Sequence, residues 1–550
     1  MANEILKICM EKGFLLDKEM LNLFSGLDDV SAKELVNKLS ELKITERVIT
    51  KSFFCKNSDL IRNLVANETG KTVIEKFFIN LGYIRTEIKI EKLKEDEIGG
   101  NYVKILSSPA VSPKKVEVLD FVKHFRARYM QIKKVLEGRN LEDLTTIRKI
   151  SSGREKYTII AAVVNKRITK NKNILIDIED PSGKVVVLVN QNKPELFALA
   201  RDLMQDDIVA FQVTGSNEML FANNIIYPDA FVVEKKKYSE DVWVAFSSDF
   251  HVGSAMFLED NLMKFIRWLN CQEGDEKQRE IARKIKYLFL TGDNIDGVGV
   301  YPDQWKLLKI IDIRDQYKKL AEILRMIRPD IKIIMCPGQH DGVRVAEPQP
   351  IVDEDYAPDL HKIENLTLVS NPALVEIAGG FKVLQYHGAS FHSIVDEIED
   401  IRMNYGHNSP TRIAKELLKR RHLAPTHGSV VYIPNEKEDP LMISQVPDIL
   451  ATGDLHRPDI GSYNNVIMIA SSCWQSITPF EEKVGNHPDP CKVPLFNLKT
   501  REIKILDFSD SKEQNEHAIL HGEKVEAPNG VSFDKQKETK LEQSPPRGQP

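Results

Sequence analysis

The stretch Trp243-Val244-Ala245-Phe246-Ser247-Ser248-Asp249-Phe250-His251 decides how this chain is read. Four consecutive apolar residues predict a buried strand. Just past its end, an Asp and a His two residues apart can turn one oxygen and one ring nitrogen toward a common point, which begins a metal site. Alone, Asp-x-His is common in turns. Its weight comes from four similar strand ends further along the chain.

Tyr287-Leu-Phe-Leu290 leads into Thr291-Gly292-Asp293-Asn294-Ile295-Asp296, and Ile331-Lys-Ile-Ile-Met335 into Pro337-Gly338-Gln339-His340-Asp341. Phe381-Lys-Val-Leu-Gln-Tyr386 leads into His387-Gly388, and Ile449-Leu-Ala-Thr452 into Gly453-Asp454-Leu455-His456. Five times, an apolar run ends in a loop carrying Asp, His or an amide beside Gly. Helical patterns over 261–269 and 316–327 separate the first three runs, which predicts βαβ units with parallel pairing. In open α/β sheets, sites form beyond the carboxyl ends of strands, and all these residues fall there. His427-Gly428 rivals His387 for the fourth loop, although no clear strand precedes it.

Length and composition frame that core. At 550 residues, 42% hydrophobic and 29% charged, the chain has material for two to four domains. A net charge of −5 leaves any nucleic-acid contact to local basic patches. Six scattered cysteines without a Cys-x-x-Cys pair argue against a disulfide framework or zinc knuckle. No apolar run is long enough to span a bilayer, so a cytoplasmic protein is expected.

Helical periodicity over 1–66 predicts an N-terminal helical interaction module, and the mixed, Gly- and Pro-broken 67–117 predicts a tether, partly disordered. Residues 118–137 predict a helix with Phe121, Phe125, Tyr129, Ile132 and Val135 on one side. Within 118–235, runs at 157–164, 174–178, 185–189, 206–213 and 221–226, with one helical segment at 194–203, outline an OB-fold β-barrel. The core that carries the five loops then spans 236–508, and 509–550 is a polar, Pro-ended tail expected to be disordered.

As a set, the five loops resemble the calcineurin-like metallophosphoesterase superfamily, whose pattern is Asp-x-His, Gly-Asp-x-x-Asp/Asn, Gly-Asn-His-Asp/Glu, a His, and Gly-His-x-His. The resemblance implies a four-layer α/β sandwich. It implies one metal on Asp249, His251 and His456, Asp293 bridging to a second, and Gln339, His387 and Asp454 at that second site. His340 is then the general acid, with Asp341 a candidate orienting partner, and Asp296 lies behind the ligands. Mixed carboxylate and imidazole ligands suit two divalent ions, Mn²⁺ first, with Mg²⁺, Fe or Zn²⁺ as alternatives. Two departures stand out: the family's Asn is Gln339, and its first His of the last motif is Asp454. Each keeps a ligating atom.

A narrower resemblance covers nearly the whole chain to about residue 508. Asp120-Phe-Val-Lys-His-Phe-Arg-Ala-Arg-Tyr129, Leu417-Leu-Lys-Arg-Arg-His-Leu-Ala-Pro425 and Asp439-Pro-Leu-Met-Ile-Ser-Gln-Val-Pro-Asp-Ile-Leu450 are similar to small subunits of archaeal family-D DNA polymerases. That family implies a 3′→5′ exonuclease acting on single-stranded or mismatched DNA 3′ ends and a separate large polymerising subunit as partner. A non-catalytic scaffold and a phosphodiesterase for other substrates are the competing expectations. Lys415, Lys419, Arg420 and Arg421 on a predicted helix, with Arg457 after the last motif, are candidate DNA contacts.

Overall fold

The computed structural model describes residues 101–109, 115–139, 141–484 and 487–510, with a few positions ahead of residue 50. The chain divides into two compact units, Met1–Glu97 and Ile98–Pro550. In the first, Leu15–Leu16 pairs in parallel with Val48–Ile49, and Met20, Val36 and Leu39 are buried. The rest of the helical module predicted for 1–66, the tether up to residue 100 and the tail past 510 lie outside the described residues.

The second unit opens with β1 (Val103–Ser107) and α1 (Val118–Glu137). Glu117 and Asp120 start α1 with reciprocal side-chain-to-backbone bonds, a capping box. Tyr129, Ile132 and Leu136 then bury one face of α1 against Ile160, Ile208 and Ala210. Those partners belong to a barrel formed by β2 (Glu155–Ile168), β3 (Ile174–Asp180), β4 (Gly183–Val189), β5 (Ile208–Gly215) and β6 (Leu220–Ile226), with α2 (Pro194–Arg201) between β4 and β5. Strand order is β2-β3-β4-β6-β5, and β5 pairs back onto β2. Closure is possible because β2 is 14 residues long: Glu155–Ala162 pairs with β5, while Ala162–Ile168 pairs with β3. At the β3–β4 turn, Asp180 Oδ1 accepts from the N–H groups of Ser182 (2.7 Å) and Gly183 (3.0 Å), as the Asp-Pro-Ser-Gly sequence predicts.

The core that carries the five loops is built from two further six-stranded sheets. Its elements run β7 (Trp243–Ser247), α3 (Glu259–Leu269), α4 (Glu276–Lys284), β8 (Ile285–Thr291), α5 (Ile313–Arg325), β9 (Lys332–Cys336), β10 (Leu366–Leu368), β11 (Ala373–Ile377) and β12 (Phe381–Gln385). They continue with α6 (Phe391–Glu397), α7 (Glu399–Asn404), α8 (Pro410–Arg420), β13 (Ile449–Thr452), β14 (Asp459–Tyr463), β15 (Val466–Ala470), α9 (Pro479–Val484), β16 (Lys492–Asn497) and β17 (Ile503–Asp507). One sheet has the order β10-β9-β8-β7-β16-β17, with β7 to β10 parallel. The other has the order β14-β15-β13-β12-β11-β1.

β7 shows why the apolar run is continuous. Successive side chains of a strand point to opposite faces, and here both faces are covered. Val244 and Phe246 meet Val383, Ile449 and Ala451 of the second sheet, whereas Trp243 and Ala245 meet the helical layer with Phe265 and Leu320. On the far side, Leu384 and Leu450 pack with Ile394, Leu417 and Leu418 of α6 and α8. The result is four layers, helix–sheet–sheet–helix. Several strands escape the sequence reading, β1 and the β16–β17 hairpin among them. β1 falls inside the predicted tether, because only part of it is covered and it carries Lys104 and Ser107 at a sheet edge. The β16–β17 hairpin closes the other sheet in antiparallel fashion.

Candidate metal centre

Each of the five loops leaves the carboxyl end of its strand: β7, β8 and β9 in one sheet, β12 and β13 in the other. Backbone hydrogen bonds knit them, with Asp249 N–H donating to Gly292 O (3.0 Å), His251 N–H to Asp293 O (3.1 Å) and Gly453 N–H to His387 O (2.8 Å). Asp249, His251, Asp293, Asp454 and His456 all adopt positive φ, between 50° and 69°. Left-handed backbone is uncommon outside Gly and is tolerated best by Asn, Asp and His. Strain of this kind persists only where the surroundings enforce it. Two glycines make the convergence possible: a Cβ at Gly292 would collide with the His387 ring, and one at Gly338 with the Asp293 carboxylate.

The ligand atoms meet. His251 Nε2 lies 3.1 Å from His456 Nε2, and His456 Nε2 lies 3.4 Å from Asp249 Oδ1. His387 Nε2 is 3.3 Å from Asp293 Oδ2, 3.9 Å from Asp249 Oδ1 and 3.7 Å from Asp454 Oδ1. The far side of each ring is fixed: His251 Nδ1 by Asp296 (3.1 Å), His456 Nδ1 by Glu481 (2.8 Å) and His387 Nδ1 by the Thr291 carbonyl (2.7 Å). Such partners hold Nδ1 as the donor and leave Nε2 facing inward as the ligating atom. His340 stands at the rim, its Nδ1 on Asp296 O (2.8 Å) and its Nε2 3.9 Å from Asp293 Oδ2. Its side chain is 20% exposed, whereas that of His387 is 0%.

Electrostatics reflects the crowding of acids and imidazoles away from water. Burial favours the neutral acid at Asp293, but His387 and His340 overcome it and hold the carboxyl well below the usual carboxylate range. Burial likewise opposes charge on His387, yet Asp293, Asp249 and Asp454 raise its pKa well above the ordinary value. Asp341 goes the other way: burial, then the Asp293 charge, push it up to about 6.

The residues fit divalent cations. His387 Nε2, Gln339 Oε1 and Asp454 Oδ2 are buried atoms without a hydrogen-bond partner, and all belong to the predicted second site. Unsatisfied buried polar atoms are rare in folded proteins, and convergent ones mark a place for something else. Asp249, His251 and His456 form one compact ligand group, and Asp249, Asp293 and His387 another.

The family model for the B subunit of DNA polymerases alpha and epsilon matches residues 244–460, a span that begins in β7 and takes in all five loops. The DNA polymerase II small subunit of Methanothermobacter thermautotrophicus is 38% identical over 394 residues, 72% of this chain and 80% of that one. Its counterpart from Archaeoglobus fulgidus is 35% identical over 448 residues, 80% and 89% of the two chains. The chain belongs to the DNA polymerase II small subunit family. Among solved structures, an archaeal phosphodiesterase aligns with 14% identity and a TM-score of 0.25, over 48% of this chain and 99% of its own.

The three stretches that carry the family resemblance meet at one buried carboxylate. Asp439 Oδ2 accepts from Arg128 Nε (2.5 Å) and His422 Nε2 (2.8 Å), with His124 Nε2 3.2 Å away. His422 Nδ1 accepts from Ala424 N–H (3.0 Å), which fixes the neutral ring. This cluster staples α1 to the loop after α8.

Several expectations need correction. Asp341 does not orient His340. Its carboxylate accepts from Gly338 N–H (2.9 Å) and from the backbone and side chain of Asn294 (3.1 and 3.0 Å), joining two ligand loops, while the Asp296 carbonyl orients the His340 ring. Arg420 and Arg421 are buried and bound to protein acceptors, Arg420 by Asp207 (2.8 Å) and Glu416, and Arg421 by the Ile443 and Ser444 carbonyls (2.7 and 2.8 Å). Neither is available to DNA. Lys419 is largely covered, its Nζ 4.3 Å from the Tyr227 ring centre, and Arg457 is half-buried and donates to His487 O (2.9 Å), so of that set only Lys415 is exposed. His427 is exposed and bonds Tyr432 (2.9 Å), so His387 alone fills the fourth loop.

The sequence reading missed Glu481, and it missed Gln304 and Gln475, which hold Asp296 at 2.9 and 3.0 Å. It also passed over His392, whose Nε2 lies 3.7 Å from Asp454 Oδ2 and whose Nδ1 pairs with His407 at 2.9 Å. No signal marked these residues, since each depends on a partner distant in the chain. No helix among the described residues is long and apolar enough to cross a membrane.

Proposed function

We propose that this chain is a metal-dependent 3′→5′ exonuclease that trims single-stranded or mismatched DNA ends for the large polymerising subunit of a family-D polymerase. In this reading the four-layer core is a calcineurin-like phosphoesterase and the closed barrel beside it an OB fold, whose strand order it has. The observation that carries it is the pair of imidazole nitrogens, His251 Nε2 and His456 Nε2, facing each other at 3.1 Å beside Asp249. Their Nδ1 atoms are committed to carboxylates, so two lone pairs face one another, which requires a shared proton or a metal ion between them.

Asp249, His251 and His456 would hold one ion; Asp293, Gln339, His387 and Asp454 would hold the other. Divalent ions held there would supply Lewis-acid polarisation of a phosphate and a water-derived nucleophile at neutral pH. The chain's own part is positioning. The carbonyl of Asp296 locks the His340 ring so that Nε2 points past Asp293, where it can pass a proton to the departing oxygen. Asp296 and Glu481 keep His251 and His456 in the ligating tautomer. Mn²⁺ suits this mixed set, with Mg²⁺, Fe or Zn²⁺ as substitutes.

The test uses the purified chain, alone and with the large subunit, on 5′-labelled DNA with a mismatched 3′ end. Stepwise Mn²⁺-dependent shortening from the 3′ end is expected, and its loss in Asp293→Ala. Shortening from the labelled end overturns the polarity; undiminished activity in Asp293→Ala overturns the site. One observation favours a scaffold instead. Gln339 Nε2 donates to Asp454 Oδ1 at 2.9 Å, so two candidate ligands of the second ion bond each other. Absence of bound metal at saturating Mn²⁺ would select that reading.

A further inference from the structure

We propose that the loop between β8 and α5, residues 297–312, is a stacking platform for unpaired nucleobases, with Trp305 and Tyr301 as its aromatic faces. The inference rests on the phosphodiester reading of the adjacent centre and names the form of nucleic acid that centre receives.

The loop is anchored to the metal centre itself. Gln304, 1% exposed, donates through Nε2 to the Asp296 carbonyl (2.7 Å) and carboxylate (2.9 Å), and its Oε1 accepts from Val300 N–H (2.9 Å). Asp296 in turn fixes the His251 ring. A second anchor lies just beyond: Ala255 N–H donates to Leu307 O and Lys309 N–H to Gly253 O, both at 2.8 Å. Trp305 sits between these anchors on a held backbone.

What the loop presents is apolar and aromatic. Trp305 is 60% exposed, whereas Trp243, Trp268 and Trp474 are at most 4% exposed. Val298, Val300 and Ile311 of the same loop are exposed as well. A cluster of large exposed apolar side chains at the mouth of a polar site signals a binding surface. The Tyr301 ring centre lies 6.3 Å from that of His340, so the patch begins at the imidazole assigned to proton transfer. Lys306 Nζ lies 5.5 Å from the Trp305 ring centre, and Lys309 is exposed next to it.

Aromatic faces interleaved with lysines are how proteins hold single-stranded nucleic acid: bases stack while cations track the backbone, and every base has a π-face to offer. Paired bases keep their faces inside the duplex. The platform therefore selects unpaired ends, the form a mismatch produces.

Trp305 also supplies the readout, because it is the exposed tryptophan among four. The full-length chain, without added metal, is titrated with an oligodeoxythymidylate and with a blunt duplex while tryptophan emission and fluorescence anisotropy of labelled DNA are recorded. The single strand should quench emission saturably and the duplex should not. Trp305→Ala should remove the quenching and raise the dissociation constant about tenfold, with Trp305→Phe restoring most of the affinity. Binding by anisotropy with unchanged emission, or unchanged affinity in Trp305→Ala, overturns the platform. So does shielding of Trp305 from iodide by the large subunit alone, which would make the loop a docking surface. Shortening with Mn²⁺ is measured on the same samples. Quenching without shortening overturns the hydrolytic reading and leaves the platform standing; shortening without quenching does the reverse.

Discussion

Two buried clusters of aspartates and histidines in this protein are built in opposite ways. Around Asp439 the strong donors and acceptors find each other: Arg128 and His422 converge on Oδ2, Leu441 N–H reaches Oδ1 at 2.9 Å, and Ala424 N–H completes His422. Around Asp249 and Asp293, nitrogen faces nitrogen, His387 Nε2 and Gln339 Oε1 have no hydrogen-bond partner, and five residues sit in left-handed backbone. Residue types and burial are alike. Completeness of hydrogen bonding separates them: a cluster that satisfies itself holds a fold together, and one that converges without doing so is a candidate ligand site.

The comparison breaks most visibly if function and stability fail to separate. His340→Ala should slow hydrolysis about 10²–10⁴-fold while leaving the unfolding midpoint unchanged, by single-turnover kinetics and thermal melting. Asp439→Ala should do the converse. It strands Arg128 in the interior, and removing one partner of a buried pair lowers stability by about 3–5 kcal/mol in urea titrations. Mn²⁺ bound per folded molecule should stay the same. If Asp439→Ala instead empties the metal centre, the two clusters are one system.

Acid sharpens the contrast. Burial, then the Arg128 charge, lower the His422 pKa from 6.5 to about 4. The unfolded chain thus binds this proton first as pH falls, so stability present above pH 6.5 is lost progressively down to about pH 4. That is roughly 3 kcal/mol from this group. Chemical denaturation across that range should show the slope in wild type and a flatter profile in His422→Gln. The smallest expected effect belongs to His392, the exposed ring beside Asp454 Oδ2. His392→Ala should weaken the second Mn²⁺ about tenfold by calorimetric titration and leave the first unchanged. Equal weakening of both would show that His392 does not act through Asp454.

Most of the candidate ligand set is legible in the sequence because strand ends, glycines and residue types able to ligate lie within a few positions of each other. Asp249 with His251, Asp293 after Gly292, and His456 after Gly453 announce themselves locally. The groups that hold those ligands do not, since Glu481, Gln304 and Gln475 are ordinary polar residues until the fold brings them to His456 and Asp296. Arg420 misleads for a related reason. A basic helix end looks the same whether its charges face solvent or, as here, Asp207 on the barrel. Asp341 reads as catalytic because it is next to His340, yet the loop carries its carboxylate to Asn294 and Gly338. The barrel strands fall where alternation puts them, whereas β1 is too short and too polar to separate from a linker.

β1 has a practical consequence for anyone cutting the gene. Its five residues pair along β11 from Val103–Ile377 to Ser107–Leu374 and cover that strand's outer backbone groups. A fragment beginning at α1, the natural choice if 67–117 is taken as a dispensable tether, leaves that edge bare. Uncovered sheet edges recruit other strands. Such a fragment is expected to self-associate while one starting before Tyr102 stays dispersed, a difference that light scattering reads directly.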